Sequence, residues 1–335
     1  MELQVKLNND SNHDTIKEDP RCKLCNSTKI INSIRFNKIQ LIKCLGCGIV
    51  FQSTPFNEII YNQSYYFNNN VIYGYTNYFQ KKDDLIDTFS IILEEVKKHT
   101  KNIKNVLDIG CAFGYFMYLA KQQFPHVYGI DISSFATKMV SKKYGFSTIT
   151  ADICSPEVLY SSRNIKYDLV TMFDVIEHLS NPISAIKNIY DQLTEGGILV
   201  IKTPDISGLQ SKIFYKFWYH YKPNEHLFYF SPVSITNLLL KANFEIIKIS
   251  PASIFVSLNC IIDLMLRAIN LHTNFKLIIS KFRKYKIFLL IMKFLLPVYN
   301  SLKNIKIRFF IPNGEFVVIA QKKANTHSEN YYQSY

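Results

Sequence analysis

Four cysteines near the N-terminus form two pairs, Cys22-x2-Cys25 and Cys44-x2-Cys47, with 18 residues between them. Thiolates at that spacing suit Zn2+, which takes four soft ligands in a closed tetrahedron, so the expected site is structural and not catalytic. Gly46 and Gly48 flank Cys47 and permit a tight turn whose N–H groups point at sulfur. A segment of about 30 residues buries too little core to fold unaided, and the ion would supply the missing energy. A second group of residues is acidic. Asp108 precedes Gly110 in Asn105-Val-Leu-Asp-Ile-Gly-Cys-Ala-Phe-Gly114, Asp131 stands in Tyr128-Gly-Ile-Asp-Ile-Ser133, and Asp152 follows a third apolar run. Glycines let backbone approach a ligand closely, and the helix that follows offers its N-terminus to a carboxylate. A carboxylate placed like Asp131 can accept both hydroxyls of a ribose.

These acids need strands to place them side by side. From Asn105 the chain alternates apolar strands with helical spacing, which predicts an α/β fold with helices on both faces of a sheet. The strands fall at Asn105–Gly110, Val127–Ile132, Ser147–Ala151, Tyr167–Phe173, Gly197–Lys202, Phe244–Ile249 and Glu315–Gln321. Gly196-Gly197 makes a turn before the fifth strand, and Pro204 ends it. Upstream, Leu85, Ile86, Phe89, Ile92, Leu93 and Val96 form one helical stripe. The domain plan is a polar tail over 1–20, a cysteine module over 21–52, and a Tyr-rich linker and helix over 53–100. An α/β domain over 101–322 follows, interrupted by a basic helical insertion at 253–312, and a tail covers 323–335.

Gly110 and Gly114 do not make the dinucleotide fingerprint, which needs G-x-G-x-x-G. With Asp108 two residues upstream, the segment resembles motif I of class I S-adenosylmethionine-dependent methyltransferases, with Ala112 at the middle glycine. Phe173-Asp-Val-Ile-Glu-His-Leu-Ser-Asn-Pro182 resembles the segment after the fourth strand in small-molecule methyltransferases, including ubiquinone and sugar types. The resemblance covers about 160 of the 335 residues. It implies a Rossmann-like seven-stranded mixed sheet whose last strand is antiparallel. It implies S-adenosylmethionine as cofactor, held by Asp108, Gly110, Ala112, Gly114, Asp131, Ile132, Asp152, Phe173, Asp174 and Glu177. The cysteine pairs, Phe51, Pro55 and Tyr65-Tyr66 resemble the N-terminal part of sugar C-methyltransferases, where a zinc lobe and Tyr-rich linker cover the substrate side. That likeness brings Tyr65, Tyr66, Tyr73 and Tyr75 toward the pocket. Glu225-His226 in Glu-His-Leu-Phe-Tyr-Phe-Ser231 resembles the E-H-x-x-Y-F-S segment of the same family. It implies His226 as general base with Glu225 beside it, and His178 is the second candidate base.

The net charge of +13 rests on 33 Lys and 6 Arg. From Ser253 to Ile311 ten basic residues face one acid, Asp263, so most of the excess is local. An apolar stripe over Ile261, Leu264, Met265, Ala268 and Leu271 with flanking cations fits a peripheral membrane contact through 255–311, and equally a helical lid or homodimer surface. The apolar run Ile287–Val298 is broken by Lys293 and is too short for a span of about 20 residues. No charged and apolar leader opens the chain, so a cytoplasmic setting is expected. The acceptor expected is a small molecule, sugar or lipid-linked glycan, methylated at carbon or oxygen. An RNA acceptor is the alternative suggested by charge and zinc; the basic residues interleave with aliphatics and not with exposed aromatics, so no nucleic acid is expected. A non-catalytic scaffold built on the same fold is a third reading, opposed by the intact Asp108, Asp131 and Glu177-His178.

Overall fold

The computed structural model describes residues 21–36, 39–53, 61, 63–67, 82–100, 102–158, 165–223, 225–256 and 309–324. The expected tails at 1–20 and from 325, Tyr73, Tyr75 and most of the basic stretch, 257–308, lie outside the described residues.

In chain order the elements are β1 (Ile30–Phe36), β2 (Ile39–Cys44), β3 (Val50–Gln52), α1 (Gln63–Phe67), α2 (Lys82–Lys97), β4 (Asn105–Ile109), α3 (Tyr115–Lys121), β5 (His126–Asp131), α4 (Ser134–Tyr144), β6 (Ser147–Thr150), β7 (Tyr167–Phe173), α5 (Pro182–Gln192), β8 (Leu193–Pro204), α6 (Leu209–Phe214), β9 (Phe228–Tyr229), α7 (Pro232–Lys241), β10 (Phe244–Val256) and β11 (Phe309–Lys322). Among the described residues, seven strands form one sheet in the order β10-β11-β8-β7-β4-β5-β6. Strands β4 to β8 run parallel, and β11 is antiparallel to both β8 and β10. This is the expected mixed Rossmann-like sheet.

Both faces of the parallel strands are buried, because successive residues point to opposite sides. Leu107, Ile109, Val170, Met172, Leu199 and Ile201 pack on one face under Ile186 and Ile189 of α5 and Leu238 and Leu239 of α7. Their chain neighbours Val106, Leu169, Ile198 and Val200 pack on the other, under Phe89, Ile92, Leu93 and Val96 of α2 and Phe116, Met117 and Ala120 of α3. The predicted stripe on α2 is thus the buried one. Each such side chain contributes about 1.5–3 kcal/mol on burial. Helix ends are fixed locally. Ser133 caps α4, whose C-terminus closes on Gly145 at φ +70°. Asn181 caps α5 ahead of Pro182. Ser231 and Ser234 form a reciprocal capping box on α7.

The ends of the expected insertion at 253–312 are strand. β10 runs on to Val256 and β11 begins at Phe309, so residues 253–256 and 309–312 are paired strand and not part of a helical insertion. A register shift between Pro251 and Ser253 lets the ladder pass the proline and continue. The cysteine module also pairs with a strand from outside its own segment. β1, β2, β3 and β9 form a second, four-stranded sheet, in which Val50 pairs with Tyr229 and Phe51 with Phe228. The expectation missed β9 because a two-residue strand carries no periodicity of its own. Cys22, Leu24, Cys44, Cys47, Ile49 and Phe51 share a core with Leu179, Leu227, Phe228, Phe230 and Leu238. Among the described residues, no helix is long and apolar enough to cross a membrane.

Candidate functional site

The turn after β4 is built from left-handed residues. Gly110 stands at φ +71°, Ala112 at +43° and Gly114 at +71°. Glycine adopts this region freely and alanine does so under strain, so Ala112 keeps the backbone of a glycine position at an energetic cost. A Cβ on Gly110 would lie 2.2 Å from Val175 Cγ2, which explains why no side chain fits there. The turn is tied to the end of β5. Gly110 N and Cys111 N donate to Ile130 O at 2.7 and 3.1 Å, and Ala112 N donates to Asp131 Oδ2 at 2.8 Å. Asp131 Oδ1 accepts from Ser133 N at 2.8 Å. One carboxylate therefore holds the turn and the start of α4 together.

Asp108 and Asp131 are both buried, 4% and 7% exposed. Among the described residues neither forms an ion pair. Burial pushes the Asp108 carboxyl up to about 8; the hydroxyl of Thr171, donating at 2.8 Å, works against this, and the charge of Asp131 adds to it. Asp131 is also raised by burial, opposed by its two backbone N–H donors. A pair of buried acids without a cation beside a backbone cradle fits a ligand carrying positive charge and hydroxyls, as S-adenosylmethionine does. Ile132, 51% exposed, and Asp152, exposed, stand at the tips of β5 and β6 on the same rim.

The segment after β7 divides its side chains. Phe173 is stacked on Phe89 at 4.9 Å and meets Phe116 edge-on, so its ring supports the α2–α3 face. Asp174, at φ +57°, accepts from Lys202 Nζ through both oxygens at 2.5 and 2.6 Å. Lys202 also reaches Glu315 Oε2 at 2.9 Å. Sequence reasoning missed Lys202, which sits in a strand that reads as wholly buried. Its partners hold the ammonium above the ordinary lysine range despite burial. Lys202→Met would remove the buried ammonium that both acids share, and urea denaturation should then register a loss of about 3–5 kcal/mol.

Glu177, 2% exposed, accepts from Thr203 Oγ1 at 2.9 Å, and burial raises its carboxyl to about 8. His178 and His226 come together from separate loops, after β7 and after β8, their rings edge-to-face at 4.7 Å. His178 Nδ1 bonds the Glu225 carbonyl at 2.9 Å. A carbonyl only accepts, so Nδ1 carries the proton and Nε2 keeps its lone pair. Burial, aided by the charge of Lys222, lowers His178 to about 4. His226, 3% exposed, is held well below the ordinary histidine range by burial first and by His178, Lys222 and His220 after it. Glu225 is buried, with Lys222 Nζ 3.8 Å from its carboxylate.

Aromatic residues cover the rim. Tyr65 and Tyr66 are buried, and Tyr66 and Phe67 meet Phe113 of the glycine turn at 4.8 and 5.6 Å. Tyr61, absent from the expectations, is bonded at the cofactor-side rim, where acids of both ends of the site act on it. Its carbonyl accepts from Ser133 Oγ at 2.5 Å, and its phenol is raised by burial and by the charges of Glu225, Asp131 and Glu177. Only its place in the Tyr-rich linker could have signalled it.

In the cysteine lobe the four thiols are free and converge. Cys22 and Cys47 Sγ lie 3.6 Å apart, Cys25 and Cys44 Sγ 3.5 Å, and all four atoms lie within 4.8 Å of one another. A tetrahedral ion with bonds of about 2.3 Å needs sulfurs about 3.8 Å apart. Leu24 N and Gly46 N point at Cys22 and Cys44 Sγ at 3.4 and 3.3 Å. Asn26 and Gly48, each one residue past a pair, both turn left-handed. The residues fit Zn2+.

A family profile described as a methyltransferase domain matches residues 76–249. A tRNA U34 carboxymethyltransferase of Desulfotalea psychrophila is 30% identical over 123 residues, 35% of this chain and 38% of that one. A ubiquinone biosynthesis O-methyltransferase of Paraburkholderia phytofirmans is 30% identical over 102 residues, 30% of this chain and 44% of that one. The chain thus spans less than half the length of these curated relatives. A SAM-dependent methyltransferase structure from Archaeoglobus fulgidus aligns at TM-score 0.46 and 20% identity, over 73% of this chain and 99% of that one.

Proposed function

Because the chain belongs to the methyltransferase-domain family, of the class I S-adenosylmethionine-dependent type, we propose that it transfers a methyl group to a small molecule, sugar or lipid-linked glycan. The observation that carries this reading is the closed acceptor end. His178, His226, Glu225, Glu177 and Tyr61 converge beside Asp131, covered by the aromatic linker and the cysteine lobe. Such an enclosed, polar-tipped site suits a compact acceptor and excludes water from the reacting atoms. Among the described residues, the cations acting on this group are Lys222 and Lys202, the second taken up by Asp174 and Glu315, whereas a nucleic-acid strand needs a row of free ones.

S-adenosylmethionine, when bound, supplies an electrophilic methyl group on a sulfonium. Asp131 would accept the ribose hydroxyls, Asp108 would face the cationic part, and the turn from Gly110 to Gly114 would lie against it. Tyr61, bonded to Ser133 at the start of α4, would help hold the linker over the cofactor side. An acceptor hydroxyl or carbon acid must lose a proton, and His178, His226 and Glu225 are the groups placed to take it. Four cysteines hold a structural Zn2+ in this reading, which fixes the lobe that covers the site. Asp131→Ala removes the ribose acceptor and one anchor of the glycine turn. Calorimetry with S-adenosylmethionine should show affinity falling by at least about a hundredfold, on the scale of two lost charge-assisted hydrogen bonds. Unchanged affinity would end the assignment.

A further inference from the structure

We propose that Glu177, His178 and His226 form a second metal site, for a divalent ion of the Zn2+ type, at the acceptor end. One ligand atom from each lies within 4.8 Å of the other two. Two imidazoles and one carboxylate are the donor set of open, ligand-accepting zinc centres, which differ from closed thiolate sites in leaving a position free.

Hydrogen bonding prepares both rings for this role. His178 donates from Nδ1 to the Glu225 carbonyl, which leaves Nε2 free. His226 Nδ1 is buried and has no hydrogen-bond partner. His178 is thus anchored to a backbone carbonyl through one nitrogen, and His226 presents a buried nitrogen that is bare. Ligating histidines are arranged in this way, with the second nitrogen fixing tautomer and orientation. Glu177 is held by Thr203 Oγ1, the second-layer contact of a carboxylate ligand. A buried ring nitrogen with no partner is costly, and an ion would remove that cost.

The site deepens the methyl-transfer reading and rests on it only for its purpose. An ion held there would take one acceptor oxygen at its free position and a second by expanding to five-coordinate, so the acceptor class is a vicinal diol or a hydroxy-ketone. The imidazoles are then occupied by the ion. The acceptor O–H bond breaks with its proton going to the Glu225 carboxylate, and the oxygen forms the new bond to carbon as the sulfonium C–S bond breaks.

The test uses the full chain and Zn2+ alone. Protein incubated with zinc chloride and freed of excess by gel filtration is measured for metal by mass spectrometry. Two equivalents are expected for the wild type. His178→Ala and His226→Gln should each hold one. Cys22→Ser should also hold one, and that ion should be lost on adding His178→Ala. A single equivalent in the wild type, unaffected by either histidine change, would overturn the site. S-adenosylmethionine affinity, measured on the same samples, separates the two ideas: two zinc ions with no cofactor binding would sink the methyltransferase reading and leave the metal site standing. Retention of that affinity within threefold in His178→Ala would show that the variant is folded.

Discussion

Cys44→Ser should strip the proposed structural zinc from the lobe and lower the melting temperature of the whole chain by on the order of 10 °C. Cys44 is fully buried at the meeting point of β2 and both knuckles. Structural zinc supplies apparent binding energies of about 10–16 kcal/mol in small modules, and only part of that is recovered by other contacts. A loss of several kcal/mol in a domain of this size moves the midpoint by roughly 2–4 °C per kcal/mol. The effect should be uneven. β3 pairs with β9, and Gln52 N donates to Leu227 O at 3.0 Å, so the lobe holds the strand that follows His226. The acceptor loop should loosen with it. The carboxylates sit on β4 and β5 of the other sheet, and S-adenosylmethionine affinity should fall by less than about tenfold. Limited proteolysis should cut within residues 21–53 in the variant and spare the wild type. Equal melting and equal protection would rule out a structural ion.

Affinity for S-adenosylmethionine should rise steeply with pH below about 8, approaching tenfold per unit. The free protein keeps Asp108 protonated up to about 8, because burial disfavours its charge. A cationic ligand favours the ionised carboxylate, so binding expels the proton, and the deprotonated protein binds better. The stability of the free protein carries the opposite sign. A carboxyl raised in the folded state contributes stability that is complete below about 4, its unfolded value, and is lost as pH rises through about 8. Asp131, raised in the same direction, adds to the slope. Calorimetry in buffers of different ionisation enthalpy would count the protons released. In Asp108→Asn the Asp108 share of that release should vanish and the affinity at high pH should drop. A flat pH profile in the wild type would mean that Asp108 does not face the bound cofactor.

The carboxylates and the glycine turn were legible because each lies within a few residues of a strand end, and a parallel sheet aligns strand ends by construction. The four cysteines were legible because metal spacing is a local pattern. His178 and His226 could be named singly, but their contact depends on the path of the loop after β8 and has no local signature. Tyr61 looked like any of several tyrosines in its segment. Lys202 was hidden for a different reason. Its charge is offset by Asp174 and by Glu315, which is 113 residues away in sequence. Ala112 was read as a mild departure from a glycine, and its positive φ shows why: the backbone demand stayed while the residue changed. The ends of β10 and β11 were misread because Ile, Phe and Val suit a helical stripe and a strand equally, and only pairing decides between them.

The pairing of Val50 with Tyr229 also imposes an order of events on the ribosome. At about 5–20 residues per second, the β1–β3 hairpins emerge roughly 10–35 seconds before the strand that completes their sheet. Throughout that interval β3 is a bare edge, open to pairing with a neighbouring nascent chain. An ion captured early would hold the young hairpins in register until their partner arrives. Cells starved of zinc should therefore accumulate this protein as aggregates formed during synthesis, while the mature molecule tolerates the same shortage.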